Sequence, residues 1–133
     1  MLLAGDIGGT KTNLALYAPG GGLVAQAQTT FKSARYASLE AIVEEFLATT
    51  AAKVDKAVFG VAGPVVDGES TITNLPWVIR EVDLQQAFGL REVKLLNDLE
   101  ATAYGVPQLS SSDLFQLNDA PPESGTKVVV APG

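Results

Sequence analysis

Three short stretches carry side chains whose types and spacing suit chemistry. The first is Asp6-Ile7-Gly8-Gly9-Thr10-Lys11-Thr12-Asn13. Its glycines allow backbone N–H groups to approach an anion closely, and Thr10 and Thr12 add hydroxyl donors. Lys11 adds charge if it turns inward. Asp6 is a carboxylate at the same edge, suited to Mg²⁺ or its water shell. Donors plus one acid fit the phosphate tail of a magnesium nucleotide. The second stretch, Leu95-Leu96-Asn97-Asp98-Leu99-Glu100, puts a carboxylate where an apolar strand becomes a helix. An Asp there can accept the proton of a sugar hydroxyl as that oxygen attacks phosphorus. The helix dipole favours a negative charge at that place. Asn97 both donates and accepts, which suits a neighbouring hydroxyl. The third runs from Phe59-Gly60-Val61-Ala62-Gly63-Pro64-Val65 to Thr73-Asn74-Leu75-Pro76-Trp77. Small residues after a strand leave room for a ligand, Asn74 can bond a hydroxyl, and Trp77 can wall a site or fill the core.

Each stretch also has a plain structural use. A Gly-Gly dipeptide between strands is turn chemistry. Asn97 with Glu100 three residues later is a capping-box pattern. Two better-known glycine motifs are excluded. Gly5 to Thr12 approaches the P-loop pattern, but Thr10 stands where its second Gly belongs and a strand follows rather than a helix. No G-x-G-x-x-G occurs.

The elements that must position these residues follow from the hydrophobic pattern. Leu2–Ile7, Thr12–Tyr17 and Leu23–Phe31 read as three antiparallel strands joined by glycine turns. Ser38 is an N-cap, and Leu39, Ile42, Val43, Phe46 and Leu47 make one face of a helix to about Ala52. Val54–Ala62 is a buried strand. Residues 64–68 form a strand end or turn, and Glu69–Asn74 pairs back. Thr73–Trp77 opens a helical region, and Val82–Phe88 is a helix closed by Gly89. Val93–Leu96 is a strand, Asn97–Tyr104 a helix stopped by Gly105 and Pro107, and Lys127–Ala131 a final apolar strand. Hairpins followed by β-α alternation predict an α/β fold: a mixed sheet with helices on its faces.

Composition narrows the chemistry. The 133 residues hold 9 basic and 15 acidic side chains, a net charge of −6. That balance excludes a sequence-independent binder of nucleic acid or anionic membrane, which needs clustered cations. The absence of Cys and His removes disulfides, Cys nucleophiles, Ser-His-Asp triads and Cys/His zinc sites. A metal here must be a hard, oxygen-bound ion. No apolar run reaches the roughly 20 residues that span a bilayer. The N-terminus has no basic leader, so a cytoplasmic location is expected.

Together and in this order, the motifs resemble bacterial glucokinases, within the sugar-kinase/heat-shock-ATPase/actin superfamily. Gly5-Asp6-Ile7-Gly8-Gly9-Thr10 looks like that family's first phosphate motif. Gly63-Pro64-Val65 through Thr73-Asn74-Leu75-Pro76-Trp77 resembles its sugar-side segment. Leu96-Asn97-Asp98-Leu99-Glu100-Ala101 resembles the segment with the sugar-binding Asn and the base Asp. Val128-Val129-Val130-Ala131-Pro132-Gly133 looks like the lead-in to a second phosphate motif. The resemblance implies a ribonuclease-H-like N-terminal domain over residues 1–126, with 127–133 starting a C-terminal domain. It implies an ATP:glucose 6-phosphotransferase using ATP and Mg²⁺. Asp98 would be the catalytic base, and Asn74, Asn97 and Asp98 would hold the sugar. Gly5, Asp6, Ile7, Gly8, Gly9 and Thr10 would hold the ATP phosphates, with Asp6 near Mg²⁺, directly or through water.

The family's second phosphate motif, further acidic sugar ligands and adenosine pocket lie beyond Gly133, so the 133-residue chain alone is expected not to turn over glucose. The final strand, left exposed, is expected to favour self-association without defining the oligomer, a homodimer being one form it could take. Two other readings use the same residues: a hexokinase of the repressor/sugar-kinase group, and a sugar-sensing module without phosphoryl transfer.

Overall fold

The structure is a computed structural model that describes residues 1–119, 121 and 125–130. The chain packs as two compact units, Met1–Asp98 and Leu99–Gly133.

In the first unit, β1 (Leu2–Ile7), β2 (Lys11–Tyr17), β3 (Ala25–Lys32), β4 (Lys56–Val61) and β8 (Glu92–Asn97) form one sheet in the order β3-β2-β1-β4-β8. β2 runs antiparallel to β1 and β3, while β1, β4 and β8 are mutually parallel. A second small sheet, β5-β6-β7, joins Val65–Val66, Glu69–Thr71 and Val78–Arg80. The helices of this unit are α1 (Leu39–Thr50) and α2 (Glu81–Phe88).

Alternation decides which side of the large sheet is wet. Leu3, Ile7, Leu14, Leu16, Phe31, Phe59, Val61, Val93 and Leu95 are buried and share one face by register. Leu39, Ile42, Val43 and Phe46 of α1 and Leu84 of α2 belong to the same core. Phe31 and Phe46 meet edge to face, with ring centroids 6.3 Å apart. Ser38 caps α1 through a bond from the Ala41 amide to its hydroxyl, as its position predicts. Gly89 ends α2 at φ 61°, the left-handed conformation that favours glycine. The opposite face of the sheet carries Asp6, Asn13, Gln28, Thr30 and Lys94.

Several boundaries differ from the expectation. β3 begins at Ala25 rather than Leu23, because the glycine turn reaches further and leaves Leu23 and Val24 exposed. The helical region expected from Thr73 is instead a loop and then β7, whose Ile79 pairs with Ser70 of β6. A three-residue strand has too little alternation to announce itself; its partner makes it a strand.

The second unit holds α3 (Asp98–Gly105) from Leu99 onward and two 3₁₀ turns, Val106–Gln108 and Ser111–Asp113. Gly105 is the last helical residue, and Pro107 lies in the turn that follows. The expected strand Lys127–Ala131 is not formed over 127–130, and Ala131 lies outside the described residues. An apolar run becomes a strand only when a neighbour completes its ladder. No described helix is long and apolar enough to cross a membrane.

Candidate functional site

The parallel register lines up the three chemical stretches. Ile7 is level with Val61, and Val61 with Asn97. Neighbouring strands lie about 4.8 Å apart. Gly8-Gly9, Ala62-Gly63 and Asp98 therefore leave the same sheet edge side by side. That is the carboxyl edge of parallel strands, where open α/β sheets bind ligands.

The glycine turn is held on several sides. The Gly8 amide donates to the Lys11 carbonyl at 2.9 Å, and the Gly8 carbonyl accepts the Ser33 hydroxyl at 2.7 Å. Ser33 Oγ lies 3.0 Å from Thr12 Oγ1, and the Ser33 amide donates to the Thr10 carbonyl at 3.1 Å. A Cβ on Gly9 would lie 2.6 Å from the Thr73 carbonyl oxygen and 3.9 Å from Asn74 Cβ. Glycine is required there because the Thr73–Asn74 backbone presses on the turn. Thr10 is exposed, and β2 follows directly, as the exclusion of a P-loop requires.

Gly5 and Ile7 are accounted for by packing. A Cβ on Gly5 would meet Phe59 Cδ1 at 2.5 Å, and the Ile7 side chain is fully buried. The Ile7 carbonyl accepts the Ala62 amide at 2.9 Å, which ties β1 to the segment after β4.

Asp6 is exposed on the polar face. Asn13 Nδ2 donates to its Oδ2 at 3.1 Å, and Thr30 Oγ1 donates to Asn13 Oδ1 at 2.7 Å. These three residues stand in one row across β1, β2 and β3. Because a carboxylate accepts, Asp6 draws the Asn13 amide nitrogen toward itself, and the Thr30 hydroxyl donates to the oxygen that is left. No group of three or more acidic side chains suited to a metal occurs among the described residues. One carboxylate fits Mg²⁺ arriving with phosphates, because Mg²⁺ keeps several waters and needs few protein ligands.

On the other side of the edge, Asn97 Nδ2 donates to the Gly63 carbonyl at 3.0 Å. Gly63 has no room for a side chain, since a Cβ would sit 2.6 Å from the Thr71 carbonyl oxygen. Asn97 thus joins the end of β8 to the segment leading into β5. Asp98, the next residue, is exposed at the first position of α3. Asn74 is exposed beside the glycine turn with φ 66°, a conformation Asn tolerates. Trp77 is 2% exposed and donates its indole N–H to the Tyr36 carbonyl at 3.2 Å, so it is core rather than a site wall.

Glu81 stiffens this side of the sheet. Its Oε1 accepts the Leu95 amide at 2.8 Å and lies 3.3 Å from Lys94 Nζ. Leu95 is two residues before Asn97, so the free edge of β8 is satisfied close to the site. Sequence patterns do not single out Ser33, Asn13 or Glu81. Ser33 and Gly8 are 25 residues apart, and no local spacing signals their bond.

The sheet order, with parallel β1, β4 and β8 meeting at one polar edge, is a ribonuclease-H-like fold of the kind found in sugar kinases. The glucokinase family model matches residues 3–133, and the chain belongs to that family. It is 38% identical to a glucokinase of Nostoc punctiforme over 131 residues, 96% of this chain and 38% of that protein. The crystal structure of a glucokinase from an Antarctic psychrotroph superposes with a TM-score of 0.77 at 31% identity, over 89% of this chain and 40% of that one. A Balamuthia mandrillaris glucokinase, solved in complex with glucose, shares the fold at a TM-score of 0.62 and 23% identity, over 84% of this chain and 33% of that one. The chain thus spans about two-fifths of the length of such relatives.

Proposed function

We propose that the first unit carries the sugar and phosphate contacts of a kinase that transfers the terminal phosphoryl group of ATP to the 6-hydroxyl of D-glucose. The observation that supports this best is the register Ile7–Val61–Asn97, which puts the glycine turn and the Asn97-Asp98 pair on one sheet edge. Phosphoryl transfer asks mainly for positioning and charge stabilisation, and this edge is built for both.

In this reading Asn97 and Asn74 orient the sugar hydroxyls, and the Asp98 carboxylate takes the proton from the attacking 6-hydroxyl. The N–H groups of Gly9 and Thr10 and the Thr10 hydroxyl face the phosphates, while Gly8, its N–H held by the Lys11 carbonyl, lines the turn and keeps it closed. Gly5 and Ile7 support the turn from within the sheet. Asp6 holds Mg²⁺ directly or through water; when bound, the ion neutralises phosphate charge. The remaining sugar and nucleotide contacts come from a further domain that begins near residue 127. A cytoplasmic location goes with this reading.

The test is a chimera. The chain is fused to the C-terminal part of the Nostoc punctiforme glucokinase that it does not match, and glucose-dependent ADP formation is measured. Activity is expected, with Asp98→Asn reducing kcat by about 10²–10⁴-fold, the usual worth of a general base. A folded chimera in which Asp98→Asn keeps full kcat would overturn the assignment of the base.

A further inference from the structure

We propose that Ser33, supported by Thr12, is a positioning residue that sets which way the backbone of the glycine turn faces. The proposal rests on the reading of that turn as a phosphate site.

Ser33 and Thr12 are both fully buried beneath the turn. Ser33 spends its single hydroxyl proton on the Gly8 carbonyl at 2.7 Å. Its contact with Thr12 Oγ1 at 3.0 Å must therefore run the other way, with Thr12 donating. The result is a directed chain from Thr12 through Ser33 to Gly8. The Ser33 amide adds a second hold, on the Thr10 carbonyl.

Peptide geometry turns this anchoring into a functional orientation. The chain has no cis peptide bonds among its described residues. In a trans peptide the carbonyl and the following N–H point in opposite directions. A Gly8 carbonyl drawn down to Ser33 therefore aims the Gly9 N–H away from the core. The Thr10 carbonyl, held by the Ser33 amide, fixes the other end of the turn. Donors aligned in this way form an anion-binding concavity. Glycine at 8 and 9 makes the peptide free to rotate, so an external anchor is needed to choose one orientation. Donors fixed before the ligand arrives bind it without a reorganisation cost.

The test follows the amide resonances of the isotope-labelled 133-residue chain during titration with MgATP and, separately, with glucose. In the wild type, Gly9, Thr10 and Lys11 are expected to shift saturably with MgATP. Ser33→Ala should weaken that response by about three- to tenfold, the worth of one hydrogen bond. The glucose response at Asn74 and Asn97 should stay as in the wild type, which a general loss of structure would not allow. Thr12→Val keeps the shape of the side chain and removes the donor behind Ser33; it should weaken MgATP in the same direction by less. If Ser33→Ala does not fold, Thr12→Val decides. Wild-type MgATP affinity in the folded variants would overturn the role of Ser33 alone. A wild-type turn that ignores MgATP would overturn the phosphate reading and this proposal with it.

Discussion

The two units of this chain use apolar residues in opposite ways. Every buried residue of the core lies within Met1–Asp98. Among the described residues after Asp98, none is buried, and Leu114, Phe115, Leu117, Val128 and Val130 are each more than half exposed. Apolar content alone therefore does not make a core. What separates the units is pairing: the first has five strands in register to set side chains on one face, and the second has a short helix and two single turns. The contrast also explains where function can sit. Exposed polar groups at a sheet edge keep their positions because a packed core stands beneath them.

The sharpest way to break this contrast is to truncate one aromatic in each unit. Phe46 is 1% exposed and Phe115 is 88% exposed. Phe46→Ala should cost about 3–5 kcal/mol in denaturant unfolding, enough to unfold much of the chain. Phe115→Ala should change stability by no more than about 0.5 kcal/mol. Similar losses for both would mean that the second unit has a core after all.

A smaller effect separates two glycines. Gly9→Ala drives a Cβ against the Thr73 carbonyl and should cost about 1–3 kcal/mol, with a weakened MgATP response. Gly105 sits in open space at the end of α3 with φ −74°, so Gly105→Ala should leave the main thermal transition unmoved. Equal effects would show that Gly9 is not pinned between the turn and the Asn74 loop.

The smallest effect is electrostatic. Lys56 and Glu92 pair across β4 and β8, and this contact holds the Glu92 carboxyl below the usual glutamate range. A carboxyl whose folded pKa is lowered stabilises the fold above its unfolded pKa and loses that contribution as pH falls through the folded one. The Tm gap between wild type and Glu92→Gln should be small near neutrality and close in acid below the ordinary glutamate range. A gap that widened in acid would contradict the pairing.

The sequence was informative where structure is local. A short apolar run marked β1, partial alternation marked β2, the one-sided apolar face and Ser38 marked α1, and Gly89 marked the end of α2. The candidate residues were legible too, because strand ends and glycine turns are visible in the chain. What stayed hidden depends on distant partners. β7 exists through pairing with β6, and the roles of Ser33, Asn13 and Glu81 come from bonds to residues 25, 7 and 14 positions away. The apolar run at 127–130 shows the reverse: strand-like composition without a partner gives no strand.

The central claim is that one sheet edge presents phosphate and sugar contacts side by side. It is tested most directly by mapping two ligands on the amide spectrum of the wild-type chain. The account predicts that MgATP moves Gly9, Thr10 and Lys11, that glucose moves Asn74, Asn97 and Asp98, and that β3 residues 25–29 and α1 stay still. Shifts from both ligands that fall elsewhere, or no saturable shift at these six residues, would contradict it.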